Sequence, residues 1–263
     1  MAVVFADFAL PMLDILFPPR CLHCNRAGGV LCAHCLASAE RPEPPLCERC
    51  GRDMATARAG SLCAACVHDP SPPDLEMSRA VAIHEGVPRE AVLALKYQRR
   101  RRLAEPLGDL IALWLLAEGW PVDAIVPVPL HATRERARGF NQAELIARRC
   151  AGRLGVRCWS TLLRTRETPP QVGLTAAARR LNVADAFAMR DHREVAALAG
   201  KRVVLVDDVT TTGSTLRAAA FALRGARPQS IRAICVTRPR FEDDGADVAA
   251  SAARIRRSAR ALS

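Results

Sequence analysis

Four C-x-x-C pairs crowd the front of the chain: Cys21 and Cys24, Cys32 and Cys35, Cys47 and Cys50, Cys63 and Cys66. Each pair can offer two thiolates to one ion, and two pairs complete the tetrahedral all-sulfur shell that zinc favours. Neighbouring pairs give one site from Cys21, Cys24, Cys32 and Cys35 and a second from Cys47, Cys50, Cys63 and Cys66; an interleaved pairing satisfies the same spacing. Because sulfur fills every position, two structural zinc ions are expected, and a region with so little hydrophobic core would depend on them to fold. Four tandem copies argue against a thioredoxin-like redox use of any one pair. His23, His34 and His68 are surplus to eight thiols and read as solvated loop residues.

The second group able to do chemistry is VVLVDDVTTTGST at 203 to 215. A run of branched aliphatics reads as a buried strand, expected to leave the sheet after Val206. Beyond it, Thr210, Thr211, Thr212, Gly213, Ser214 and Thr215 offer backbone amides and hydroxyls that can surround a phosphate at the start of the next helix, and Gly213 lets the backbone come close. Asp207 and Asp208 would repel that phosphate at contact. They belong one sugar-length away, accepting hydrogen bonds from vicinal ribose hydroxyls. The arrangement specifies a ribose 5-phosphate. One carboxylate before a capping threonine would suit an ordinary helix start; two carboxylates, five hydroxyls and a glycine ask for more.

The elements that must position these residues alternate along the chain. Candidate strands RAVAIHE, DAIVPVP, RVVLVDD and IRAICVT are separated by helical patterns around 104 to 118, 141 to 154 and 214 to 225. Continuous aliphatic strands between amphipathic helices imply an α/β fold whose parallel sheet is covered on both faces, with ligands beyond the carboxyl ends of the strands. The Pro-rich HDPSPPDL at 68 to 75 marks a boundary, giving an N-terminal amphipathic helix over 1–18, a cysteine-rich unit over 19–70, the α/β domain over 76–240 and a flexible tail over 241–263. VVFADFALPMLDILF lacks the basic cluster and cleavage site of a secretory signal and is too short and too charged to span a bilayer. With no export signal, a cytoplasmic protein without membrane insertion is expected, and in that compartment eleven cysteines argue for metal over disulfides.

Of 38 basic residues only Lys96 and Lys201 are lysine, so much of the net charge of +11 reflects a preference for arginine. Residues 96 to 190 nevertheless hold 17 basic and 8 acidic residues, +9 of that total, which fits a polyanionic ligand. The cysteine-rich unit itself has no aromatic residue between 21 and 66, which gives base stacking there little support.

VVLVDDVTTTGST resembles the phosphoribosyl-pyrophosphate (PRPP) signature of type I phosphoribosyltransferases, departing at Thr210, where an aliphatic is more usual. IHEGVPREAVLALKYQRRR, PVPLHATRERARGFNQAELIAR, LLRTRETPPQVGLTAAARRLNVADAF and the four cysteine pairs together resemble the ComF family, a double zinc ribbon preceding a phosphoribosyltransferase domain, from about residue 12 to 240. The resemblance implies a parallel-sheet type I phosphoribosyltransferase fold, with PVPLHATRERARGFN as the pyrophosphate loop. Arg134, Arg136 and Arg138 then supply fork-like donors to a diphosphate, Lys96 and the arginines from 99 to 102 add to the anion site, and the block from Arg164 to Asn182 forms a flap over PRPP. Arginine runs of this kind also occur on solvated faces. The chemistry implied is displacement of magnesium-bound pyrophosphate from the anomeric carbon, with Asp207, Asp208 and Arg138 as catalytic candidates. The family implies a role in DNA uptake and processing during natural transformation, beside a competence helicase; an accessory protein that senses a nucleotide or binds single-stranded DNA is the alternative.

Overall fold

The computed structural model of the chain describes residues 18–54, 61–68, 74–166, 186–190 and 195–240. The expected N-terminal helix, most of the flap and the C-terminal tail lie outside the described residues.

Five strands form one sheet: β1 (Met77–Ile83), β2 (Ala124–Pro127), β3 (Arg157–Cys158), β6 (Arg202–Val209) and β7 (Ser230–Arg238), in the order β1-β7-β6-β2-β3. Every neighbouring pair is parallel, as the aliphatic strands require, so all carboxyl ends share one edge. A two-stranded antiparallel hairpin, β4 (Leu162–Arg164) with β5 (Phe187–Met189), stands apart and brackets the flap sequence. The helices are α1 (Ala33–Ala37) and α2 (Ala64–Val67) in the cysteine-rich unit, then α3 (Gly86–Tyr97), α4 (Ala104–Ala117), α5 (Ala132–Arg138), α6 (Gln142–Leu154) and α7 (Ser214–Leu223). Among the described residues no helix is long and apolar enough to cross a membrane.

Strand alternation sorts the core. Val81, Ile125, Val204, Val206, Ile234 and Val236 pack on one face with Leu95 of α3, Leu107 and Ile111 of α4 and Ile146 of α6. Ala80, Val126, Val203, Leu205 and Ala233 pack on the other with Leu216, Ala219 and Leu223 of α7 and with Leu162 and Phe187 of the hairpin. From β6 the chain moves one way across the sheet to β7, and from β2 the other way to β3. The order reverses between β6 and β2, which is where parallel α/β sheets open a crevice at their carboxyl edge.

One expectation is corrected. β6 does not end at Val206: Asp207 pairs with Cys235 and Val209 with Thr237, and the Thr210 amide donates to the Thr237 carbonyl at 3.0 Å. β7 runs on to Arg238 and presents backbone acceptors, so pairing continues through the acidic residues instead of stopping at them.

The cysteine-rich unit meets the domain in two ways. Its first half buries Cys21, Leu31 and Cys35 in the same apolar cluster as Val87 and Ala91 of α3, with His23 Nδ1 3.0 Å from Glu90 Oε2 at the rim. Its second half has a core of little more than its own sulfurs, Cys47, Cys63 and Cys66 with Cys50, Met54 and Leu62, and is held by polar contacts. The Ser78 and Ile83 amides on the free edge of β1 donate to the Arg49 and Glu40 carbonyls, both at 2.8 Å. This covers a sheet edge that would otherwise expose unpaired backbone.

Candidate functional site

Neighbouring cysteine pairs, not interleaved ones, come together. Cys21, Cys24, Cys32 and Cys35 form one quartet and Cys47, Cys50, Cys63 and Cys66 the other, with all four sulfurs of each within 4.8 Å of one another. The Cys24–Cys32 and Cys50–Cys63 sulfurs lie 3.7 and 3.6 Å apart. A tetrahedron of Zn–S bonds near 2.3 Å places its sulfurs about 3.8 Å apart, so the residues fit zinc. Backbone amides reinforce the fit: Cys32 N–H donates to Cys21 Sγ at 3.4 Å and Cys63 N–H to Cys47 Sγ at 3.3 Å.

The second site lies at the sheet's switch point. Asp208 sits on the β6 face toward α3 and is 3% exposed. Its Oδ1 pairs with Lys96 Nζ at 2.8 Å, and the lysine side chain is itself largely buried. Lys96, expected beside the phosphates, thus comes from the last turn of α3 to the acid pair. The other oxygen, Asp208 Oδ2, is buried with no hydrogen-bond partner among the described residues. Asp207 is half-buried on the opposite face, and its Oδ1 accepts the Asp208 amide at 2.8 Å. Burial and then the adjacent Asp208 charge push its carboxyl up to about 7, against the pull of Lys96 and Arg164.

The hydroxyl loop follows directly. Thr210 is buried and anchored to β7, whereas Thr211 and Thr212 are exposed and Gly213, Ser214 and Thr215 half-buried. Gly213 caps α7 with φ of 73°, a left-handed conformation that costs glycine little. Thr212 Oγ1 accepts the Ser214 amide at 3.4 Å and lies 3.1 Å from Ser214 Oγ, and Arg217 holds the Thr212 carbonyl at 3.0 Å. The next amides of α7 have no intrahelical acceptor, which leaves donors for an anion.

Beside this loop, β2 leads through Pro129 to α5, a short helix with no buried residue that carries Arg134, Arg136 and Arg138. Arg134 and Arg136 are exposed; Arg138 donates to Gln142 Oε1 and lies 5.6 Å from the Tyr97 ring centroid. Of the run at 99 to 102, Arg99 and Arg101 are used on the α5 end, donating to the Ala137 and Gly139 carbonyls at 3.4 and 2.6 Å.

Three residues went unassigned in the sequence. His84, just past β1, bonds through Nδ1 to Thr237 Oγ1 at 2.8 Å, and burial followed by the charges of Lys96 and Arg89 lowers its pKa. Thr237 is fully buried, and Arg238 is 1% exposed with Nη1 donating to the Cys50 carbonyl at 2.8 Å. The polar residue closing the apolar run AVAI was a signal for His84; the other two carried none.

Two family models match the chain: a double zinc ribbon domain over residues 12–67 and a phosphoribosyl transferase domain over residues 145–256. DNA utilization protein YhgH of Salmonella typhi is 33% identical over 218 residues, 79% of this chain and 90% of the relative. Its namesake in Escherichia coli K12 is 32% identical with the same coverage. Competence protein F of Haemophilus influenzae is 29% identical over 218 residues, 78% of this chain and 90% of that one. Among solved structures, a purine phosphoribosyltransferase from Pyrococcus horikoshii is 19% identical over 53% of this chain and 77% of its own, with a TM-score of 0.31, too slight a likeness to build on. A double zinc ribbon with two closed cysteine quartets, a phosphoribosyltransferase-type parallel sheet, and relatives matched over most of their length place the chain in the ComF family.

Proposed function

We propose that the carboxyl edge between β6 and β2 binds PRPP and that the chain serves DNA uptake or use, as the names of its relatives suggest. The observation that carries the ligand is Asp208 Oδ2, a buried carboxylate oxygen with no partner among the described residues, whose fellow oxygen Lys96 holds in place. A buried acceptor left open is costly unless something donates to it, and a ribose hydroxyl at the mouth of a hydroxyl-lined loop does so. In this reading Asp207 takes the neighbouring hydroxyl. Thr211, Thr212, Gly213, Ser214 and Thr215 surround the 5-phosphate, with Thr210 as the anchor of the loop. Arg134 and Arg136 of α5 face the diphosphate, and Arg138 steadies α5.

Magnesium fits as a companion of the ligand: one oxygen of each aspartate is already engaged, so the metal would rest on phosphate oxygens and water. When bound, it neutralises the leaving pyrophosphate. The arginines of α5 add to that charge, and the flap sequence between β4 and β5 is suited to excluding water from a sugar cation. Calorimetry tests the reading. The Asp207→Asn, Asp208→Asn double variant should lose PRPP binding with zinc content unchanged, and equal affinity in the variant would remove the site.

A second reading, contact with single-stranded DNA, is favoured by Tyr97, 72% exposed at the end of α3 among arginines. Exposed aromatics beside arginine stack bases with little sequence preference. Neutralising Arg134 and Arg136 should flatten the salt dependence of DNA binding, and Asp207→Asn should leave it unaltered. A cytoplasmic location and a competence helicase as partner accompany either reading.

A further inference from the structure

The second cysteine quartet and the hydroxyl loop are joined through the end of β7. Arg238, the last residue of that strand, is almost wholly buried, and its Nη1 reaches the carbonyl of Cys50, a member of the quartet. The turn that aims this carbonyl is tight: the Gly51 amide donates to the Cys47 carbonyl at 2.8 Å, and Gly51 has φ of 67°. A Cβ at Gly51 would sit 2.7 Å from the Ser78 carbonyl and 3.3 Å from Arg238 Nη1, so ribbon and strand touch with no slack. One residue earlier, the Thr237 carbonyl accepts the Thr210 amide at 3.0 Å and its hydroxyl bonds His84, while the Arg238 carbonyl accepts the His84 amide at 2.6 Å. The first residue of the hydroxyl loop therefore hangs on the residue next to Arg238.

We infer that Arg238 is a positioning residue that makes the order of the 207 to 215 elbow depend on zinc at Cys47, Cys50, Cys63 and Cys66. The core of the second ribbon is mostly its own sulfurs, so without metal the 47–51 turn has little to hold its shape. A buried guanidinium N–H that loses the Cys50 carbonyl is left desolvated without that acceptor, which favours displacement of the side chain. As Arg238 leaves, the end of β7 loosens and Thr210 loses its anchor. Among the described residues the first ribbon meets the domain at α3, through Val87, Ala91 and Glu90, and no hydrogen bond joins it to the end of β7. The loop's importance rests on the PRPP reading, but the coupling itself is visible without ligand.

The experiment is hydrogen exchange on the full zinc-loaded chain, with zinc counted by elemental analysis. Arg238→Met should keep both metal ions yet speed exchange in the 207 to 215 peptide about tenfold, leaving amides of β2 and α6 at wild-type rates. Arg238→Lys, which can still donate to Cys50, should recover part of the protection. Unchanged exchange in Arg238→Met, or a uniform rise across the domain, would overturn the inference. Should Arg238→Met not fold, chelator titration of the wild-type chain decides instead: exchange at 207 to 215 must rise in step with loss of zinc from the second quartet, and a rise that follows the first quartet or neither counts against the coupling. Failure of PRPP to bind in calorimetry would alter none of these readings.

Discussion

Two kinds of cluster among the described residues crowd acidic groups: the cysteine quartets and the Asp207–Asp208 pair. In the second quartet the hydrogen bonds from Cys50, Cys63 and Cys66 pull the Cys47 thiol far down, while the Cys66 thiol, bonded first to Cys47, is driven far up. Without metal, only some of the four can ionise. A dication relieves all of them at once, and four sulfurs close its shell. In the aspartate pair an internal cation, Lys96, pairs with one carboxyl, burial pushes the other up to about 7, and one oxygen has no donor among the described residues. A closed cluster serves as a fold element; the open one is the proposed binding site. The same electrostatic difficulty, met completely in one place and incompletely in the other, separates structure from function.

The largest effect expected from breaking this contrast is at the closed cluster. Structural zinc contributes an apparent 10–16 kcal/mol, roughly, in small zinc-dependent modules. Cys63→Ser with Cys66→Ser should therefore remove one of two zinc ions and abolish exchange protection over the second ribbon, read by elemental analysis and mass spectrometry. Loss of protection from the first ribbon as well would mean that the two quartets are not independent.

At the open cluster, Lys96→Met should cost about 3–5 kcal/mol, because Asp208 would stay buried without its counter-charge. The comparison sharpens in a double-mutant cycle: adding Asp208→Asn to Lys96→Met should restore most of the stability, since the charge that needed relief is gone. Denaturant melts of the four proteins measure this. Additive losses would show that the 2.8 Å pair contributes nothing beyond packing.

How much of this could be read in the chain follows the range of the interactions. The quartets were legible because zinc ligation is written in local spacing, and only their pairing needed the fold. The sheet was legible because Val203 to Val206 and Ala233 to Val236 are buried on both faces and read as continuous apolar runs. The three-residue strands β4 and β5 are too short for any periodicity, and α5, with no buried residue, has no apolar stripe to announce it. The open oxygen of Asp208, the pairing of Lys96 with it, and the roles of His84 and Arg238 were out of reach, because each partner lies far along the chain: 153 residues for His84 and Thr237, 188 for Arg238 and Cys50. Continuation of β6 through two carboxylates was misread for the same reason, since the acceptor is supplied by β7.

The smallest effect distinguishes a strained acid from a satisfied one. Asp207 has a folded-state pKa of about 7 against 3.8 for the free side chain. Between those values the folded chain holds a proton that the unfolded chain has released, so its stability falls as pH rises from about 4 to about 7 and levels off above. Asp207→Asn removes that slope. The variant and wild type should melt together near pH 4, with the variant more stable by roughly 1 kcal/mol at pH 8, a figure kept modest because water reaches the half-buried carboxyl. The gain in stability would accompany loss of PRPP binding, as expected where a site keeps a charge poised for its ligand. Thermal melts from pH 4 to 8 without ligand measure it: a constant difference between the two proteins at every pH would mean that Asp207 titrates as an ordinary surface acid, and that Asp208 alone carries the electrostatic cost of the site.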